Sequence, residues 1–139
     1  MKRIEVAVGI VFNNKRQVLV GQRVVKDQYY KKWEFPGGKL EQNESAEDAL
    51  IRELKEELSI DVKNFSDLML VDHDYPDRQV RLHVFVVDRF SNEIDAAEGQ
   101  AIRWVEIDQL NSLDFLQGND VIIERLLDQK SKGKLSAEL

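Results

Sequence analysis

Hydrophobic and polar positions alternate most regularly in "QVRLHVFVVDRF", where Val80, Leu82, Val84 and Val86 fall on one side and Arg81, His83, Phe85 and Val87 on the other. That period of two is what a strand requires. "IEVAVGIVF" and "QVLVGQR" are runs rich in β-branched residues, separated by "NNKR", and together they read as a hairpin. Shorter strands are expected at "WEF", "LMLVDHDY" and "AIRWVEI", each bounded by polar or turn-forming residues. The period lengthens after Ser45, where Leu50, Leu54 and Leu58 recur at helical spacing, and Ser45 with Asp48 has the composition of a capping box. A second helix, about Asp120 to Gln129, carries "VIIERLL". The segment 131–139 lacks periodicity and is expected to be a loose tail behind a single domain of residues 1–130. Strands with two helices, not strictly alternating, predict an α/β fold in which a mixed β-sheet lies between helices, in α/β/α layers.

Composition narrows this picture. A chain of 139 residues fits one domain, and a domain near that size buries roughly 70% of its unfolded surface. Cysteine is absent, which excludes disulfides, thiolate metal sites and a cysteine nucleophile, and makes a cytoplasmic location the expectation. Glu5 interrupts the apolar run that follows the two N-terminal basic residues, so this segment reads as a strand and not as a leader. No apolar stretch approaches the about 20 residues that span a bilayer. The net charge of −6 argues against a stable nucleic-acid partner unless metal ions reverse the sign locally.

That exception matters for the first helix. Glu56 and Glu57 lie three and four positions beyond Glu53 and share its face. Two unit charges about 5 Å apart repel by roughly 1 to 3 kcal/mol at effective dielectrics between water and a protein surface. A divalent cation relieves this, and Mg²⁺ or Mn²⁺ takes oxygen ligands that it shares with phosphates. The plainer alternative is a solvated helix face with Arg52 and Lys55 as local partners. Spacing separates the two. From Gly38 onward the chain fits G-x5-E-x7-R-E-U-x-E-E-x-G-U through Glu44, Arg52, Glu53, Leu54, Glu56, Glu57 and Ile60. This resembles the Nudix box, with Ser59 where the pattern has Gly. If that position ends the helix in a left-handed conformation, Ser costs about 1 kcal/mol relative to Gly.

"VAVGIVFN", "EFPGGK", "YPDR", "EGQ" followed by a Trp, and "GNDVI" extend the resemblance along nearly the whole chain, to the MutT branch of the Nudix hydrolases. The resemblance implies a Nudix fold and a Mg²⁺ requirement that Mn²⁺ can meet. It also implies hydrolysis of 8-oxo-dGTP to the monophosphate and pyrophosphate by water attack at the β-phosphorus. By position it implies that Gly37, through its carbonyl, and Glu53, Glu56, Glu57 and Glu98 serve the metal. Glu53 and Glu98 are rival general bases. Arg52 orients the carboxylates, and Lys39 lies beside the catalytic loop. Arg23 and Arg78 contact substrate, Phe35 floors the base pocket, and Asn119 reads the purine. Bland alternatives remain: Glu98 as a solvated loop charge, Phe35 as core, Asn119 as the cap of the second helix. His73 and His83 are expected to be structural.

Two other enzymatic readings keep this chemistry and change the substrate, to a pyrimidine triphosphate or the 5′ end of an RNA. A third is a non-catalytic binding module, against which the complete acidic set speaks. An RNA substrate favours a basic track with stacking aromatics, whereas the basic residues here are scattered, so a small nucleoside triphosphate and a monomeric protein are expected.

Overall fold

The computed structural model describes residues 3–133. Strand β1 (Arg3–Val11) is the centre of the main sheet. It runs parallel to β6 (Arg78–Ser91) from Arg3↔Gln79 to Val11↔Val87, and antiparallel to β4 (Gly37–Lys39) on its other edge. Beyond β6 lies β5 (Asp61–Tyr75), giving the order β4-β1-β6-β5. A second, antiparallel sheet has the order β3-β2-β7, from Trp33–Glu34, Val18–Gln22 and Ile102–Val105.

The expected hairpin of the first two strands does not form as a ladder. Both edges of β1 are taken by β4 and β6, so β2 crosses to the other sheet, and only the bridge Phe12↔Val18 remains. The connecting turn is well made: Asn13 Oδ1 accepts from the amides of Lys15 and Gln17 at 3.0 and 2.9 Å. Strand β5 also begins earlier than "LMLVDHDY", because register shifts between Val62 and Asn64, Asn64 and Phe65, and Asp67 and Met69 break the alternation that would have announced it.

The alternating strand behaves as its pattern requires. Val80, Leu82, Val84 and Val86 join one core with Ile122, Ile123 and Leu126 of α2 (Asp120–Ser131). Phe85 and Val87 join the other with Leu50, Leu54 and Leu58 of α1 (Ala46–Leu58). The two helices therefore cover opposite faces of a mixed sheet, and the α/β/α architecture holds. Helix α2 continues to Ser131, and residues 134–139 of the expected tail lie outside the described residues. Among the described residues no helix is long and apolar enough to cross a membrane.

The ends of α1 are local events. Ser45 Oγ accepts from the Asp48 amide at 3.1 Å, which is one half of the capping box. At the other end Ser59 adopts φ 63° and ψ 24°, with its amide on the Lys55 carbonyl. This is the left-handed cap that favours glycine. Ser59→Gly is expected to raise stability by about 0.5 to 1 kcal/mol without changing kcat. A urea midpoint that stays put or falls would mean that the cap is not strained.

Candidate active site

The loop between β3 and α1 is pressed between β1 and the acidic face of α1, and two glycines permit it. At Gly37, φ is 152° and a Cβ would overlap the Ala7 carbonyl of β1; at Gly38 a Cβ would overlap the Glu53 carboxylate. The Gly37 amide donates to Glu57 Oε2 at 3.2 Å.

Arg52 ties the loop to the helix. Its Nε and Nη2 grip both oxygens of Glu44 at 2.8 and 2.9 Å, and Nη2 also donates to the Lys39 carbonyl at 3.0 Å. Nη1 reaches Glu53 at 2.9 Å and Glu56 at 3.3 Å. The guanidinium is thus fully engaged with carboxylates and backbone, and its hydrogen bonds hold the Glu44 carboxyl down at about 2. Glu57 is in the opposite state. Burial pushes its carboxyl up to about 8 despite the Gly37 amide, and Glu98, Glu34 and Glu53 push the same way. Glu53 is also raised, by burial first, against the pull of Arg52.

The three helix carboxylates share a face but do not meet at a point. Glu53 and Glu56 turn to Arg52, Glu57 turns to Gly37, and among the described residues no group of three or more acidic or histidine side chains is spaced to hold a metal as it stands. Their chemistry still suits a hard divalent cation: every donor is an oxygen, and the repulsion that adds to burial in raising Glu57 is what such a cation relieves. Glu98 is exposed on the loop after β6, yet its charge raises both Glu53 and Glu57. The loop is tied to the end of α1, because the amides of Asp95 and Ala97 donate to the Leu58 and Glu57 carbonyls at 2.9 and 3.1 Å. Gln100, buried in the "EGQ" stretch, accepts from the Glu98 amide at 3.2 Å. Its part was not visible in its residue type.

On the other side of Gly37 and Gly38 lies a cavity of about 260 Å³, floored by Val6, Val8, Val80 and Leu82 and walled by Arg23, Phe35, Lys39, Arg78 and Asn119. The glycine loop is therefore a shared wall between acidic helix and cavity. Lys39 is exposed and has no ion pair among the described residues. Arg23 pairs with Asp27 at 2.8 Å and faces Glu34 at 4.0 Å. The Arg78 guanidinium lies over the rings of Tyr29 and Tyr75, 5.7 and 5.4 Å from their centroids, and its buried Nε has no hydrogen-bond partner among the described residues. Phe35 is both wall and core, tilted against Phe115 at 5.2 Å.

Asn119 departs from the capping alternative. It stands at the start of α2 but makes no side-chain cap bond; its buried amide instead donates from Nδ2 to the Leu116 carbonyl at 2.9 Å. Sequence reasoning missed Glu34, raised by burial, as well as Tyr29 and Tyr75. Glu34 lies three residues before Gly37, and that closeness to the glycine pair was the available signal. The two histidines make local contacts: His83 bonds Glu5 at 2.9 Å, and His73 packs edge-on against Tyr75 at 4.5 Å.

Comparison with known proteins agrees with this arrangement. The NUDIX domain family matches residues 1–126. An "8-oxo-dGTP diphosphatase" of Escherichia coli is 36% identical over 126 residues, 91% of this chain and 98% of that protein. A "CTP pyrophosphohydrolase" of the same organism is 36% identical over 104 residues, covering 75% and 76% of the two chains. A MutT structure from a study of the Aliivibrio salmonicida and Vibrio cholerae proteins superimposes with a TM-score of 0.79 at 32% identity, covering 92% of this chain and 99% of the other. With the box, the glycine loop and the cavity on one scaffold, the chain belongs to the Nudix hydrolase family.

Proposed function

We propose that this enzyme hydrolyses 8-oxo-dGTP to 8-oxo-dGMP and pyrophosphate with Mg²⁺, as a cytoplasmic monomer that clears oxidised purine from the nucleotide pool. Nucleotide pyrophosphohydrolase activity and a need for divalent metal follow from the family; the substrate, the ion and the residue roles are our assignment.

The observation that carries the substrate is the anchored amide of Asn119. With Nδ2 donating to the Leu116 carbonyl, a flip would set Oδ1 against that carbonyl, so the orientation is fixed. The amide then offers Oδ1 as acceptor and the second Nδ2 hydrogen as donor. 8-Oxoguanine has a donor at N7 and an acceptor at O6, which complements this pair; guanine has acceptors at both. Phe35 supplies an apolar wall for the ring, and Arg23 and Arg78 contact the base and sugar region.

A base in the cavity directs its phosphates past Lys39 and the glycine loop toward α1. Glu53, Glu56, Glu57, Glu98 and the Gly37 carbonyl are the groups that would hold Mg²⁺, or Mn²⁺ in its place. The ion, when bound, neutralises phosphate charge and acidifies water. Arg52 holds Glu53 and Glu56 in place from behind. We assign Glu53 as the base, because it is half-buried against the loop, with exposed Glu98 as the alternative. Water oxygen bonds to the β-phosphorus, its proton passes to the carboxylate, and the bond from β-phosphorus to the bridging oxygen breaks, so that oxygen leaves with 8-oxo-dGMP. The test is product analysis: equal amounts of pyrophosphate and 8-oxo-dGMP support the reading, and release of orthophosphate contradicts it.

A further inference from the structure

We infer that Tyr75 is a positioning residue for base discrimination: its hydroxyl, through the Gln117 carbonyl, fixes the turn that orients the Asn119 amide. This rests on the assignment of Asn119 as the group that reads the base.

The turn 116–119 has one firm end and one that needs support. Leu116 is pinned to the second sheet, its amide donating to the Trp33 carbonyl at 2.9 Å. From there the chain passes through Gly118, at φ 97°, and the backbone N–H of Asn119 reaches back to the Leu116 carbonyl at a long 3.3 Å. The middle of the turn is held by the Tyr75 hydroxyl, which donates to the Gln117 carbonyl from 42 residues away in sequence. Gly118 packs onto the same place, since a Cβ there would come within 3.1 Å of the Tyr75 hydroxyl and 3.3 Å of the His73 ring. The Leu116 carbonyl belongs to the peptide that leads into Gln117, so a displaced turn rotates it although the Leu116 amide is pinned, and that carbonyl is what locks the Asn119 side-chain amide against flipping.

Tyr75 is suited to act as a fixed strut. It is 5% exposed, at the end of β5, and its ring is held edge-on by Tyr29 at 5.6 Å and His73 at 4.5 Å, with the Arg78 guanidinium near its face. These contacts restrain the ring and so aim the hydroxyl. Burial pushes that hydroxyl up to about 12, so it remains a donor across neutral pH. An ordinary packing tyrosine needs no hydroxyl; this one spends it on the carbonyl next to the residue that anchors the reader.

Tyr75→Phe keeps the ring and its packing and removes only the bond. Two readouts follow. Exchange of the Asn119 backbone N–H, which bonds the Leu116 carbonyl, should accelerate about tenfold, the scale of one lost buried hydrogen bond. The ratio of kcat/KM for 8-oxo-dGTP over dGTP should fall about three- to tenfold, more through the KM for 8-oxo-dGTP than through kcat. Gly118→Ala disturbs the same turn from the other side and should lower the ratio in parallel. With Asn119→Ala as the reference, a wild-type ratio retained by Tyr75→Phe alongside a collapsed ratio for Asn119→Ala overturns the role of Tyr75 while leaving the base reader standing. A ratio that is the same in wild type and Asn119→Ala removes the base reader itself, and the role of Tyr75 with it. Unchanged exchange at the Asn119 backbone N–H shows that the hydroxyl does not hold the turn.

Discussion

Glu57→Gln is expected to lower kcat on the order of a thousandfold, about 4 kcal/mol of transition-state stabilisation, and yet to make the metal-free protein more stable near pH 8. The two effects have one cause. Glu57 is half-buried among other carboxylates, and among the described residues its carboxylate's only hydrogen bond is from the Gly37 amide at 3.2 Å. Burial and the carboxylates Glu98, Glu34 and Glu53 raise its folded-state carboxyl from 4.5 to about 8. The unfolded chain therefore releases this proton first as pH rises, and between those values it binds fewer protons than the native state. Stability contributed by the group is full below about pH 4.5, declines as pH rises toward 8, and then levels off. Discounted for partial exposure, the loss is up to a few kcal/mol, on the order of one pH unit per 1.4 kcal/mol. Glutamine keeps the shape and the acceptor but not the charge. Denaturation of chelated protein from pH 5 to 8 should show wild type losing stability that Glu57→Gln retains. Near wild-type kcat at saturating Mg²⁺ would place Glu57 outside the metal site.

Asn119→Ala should lower the preference for 8-oxo-dGTP over dGTP at least about tenfold, chiefly through weaker use of 8-oxo-dGTP. A site built on a hydrogen bond can reject an analogue lacking it by about 10⁴- to 10⁵-fold when desolvated polar groups are stranded. One amide supplies part of that. The cost to stability should not be that of a lost helix cap, because the side chain makes no cap bond; it should come from the Leu116 carbonyl, which loses its 2.9 Å side-chain donor and keeps the backbone N–H at 3.3 Å. Comparing kcat/KM for the two nucleotides in wild type and variant separates readout from structure. An unchanged ratio would bring pyrimidine or RNA substrates forward.

What the sequence made legible was local in origin. The alternation of β6, the leucine face of α1, the Ser45 cap and the left-handed Ser59 each follow from neighbours within a few residues. The contacts of Arg52 are equally local, since its partners Glu44, Glu53 and Glu56 lie on or just before the same helix. The β1–β2 hairpin failed because edge availability is a property of the whole sheet. β1 had already spent both edges on strands far away in sequence. The early half of β5 was hidden by bulges that scramble its period. In the site, the departure of Asn119 from capping depends on where the Leu116 carbonyl lies, and the Tyr75 brace joins residues 42 apart. Neither leaves a pattern in composition or spacing.

The central claim is that this site is built for an oxidised purine nucleotide, and it is tested most directly by kcat/KM of the wild-type protein with Mg²⁺ on 8-oxo-dGTP, dGTP, CTP and a 5′-triphosphate RNA. The account predicts that 8-oxo-dGTP exceeds each of the others by about a hundredfold or more, the reach of hydrogen-bond readout in a desolvated site. A value for CTP or the RNA that equals or exceeds that for 8-oxo-dGTP would contradict it.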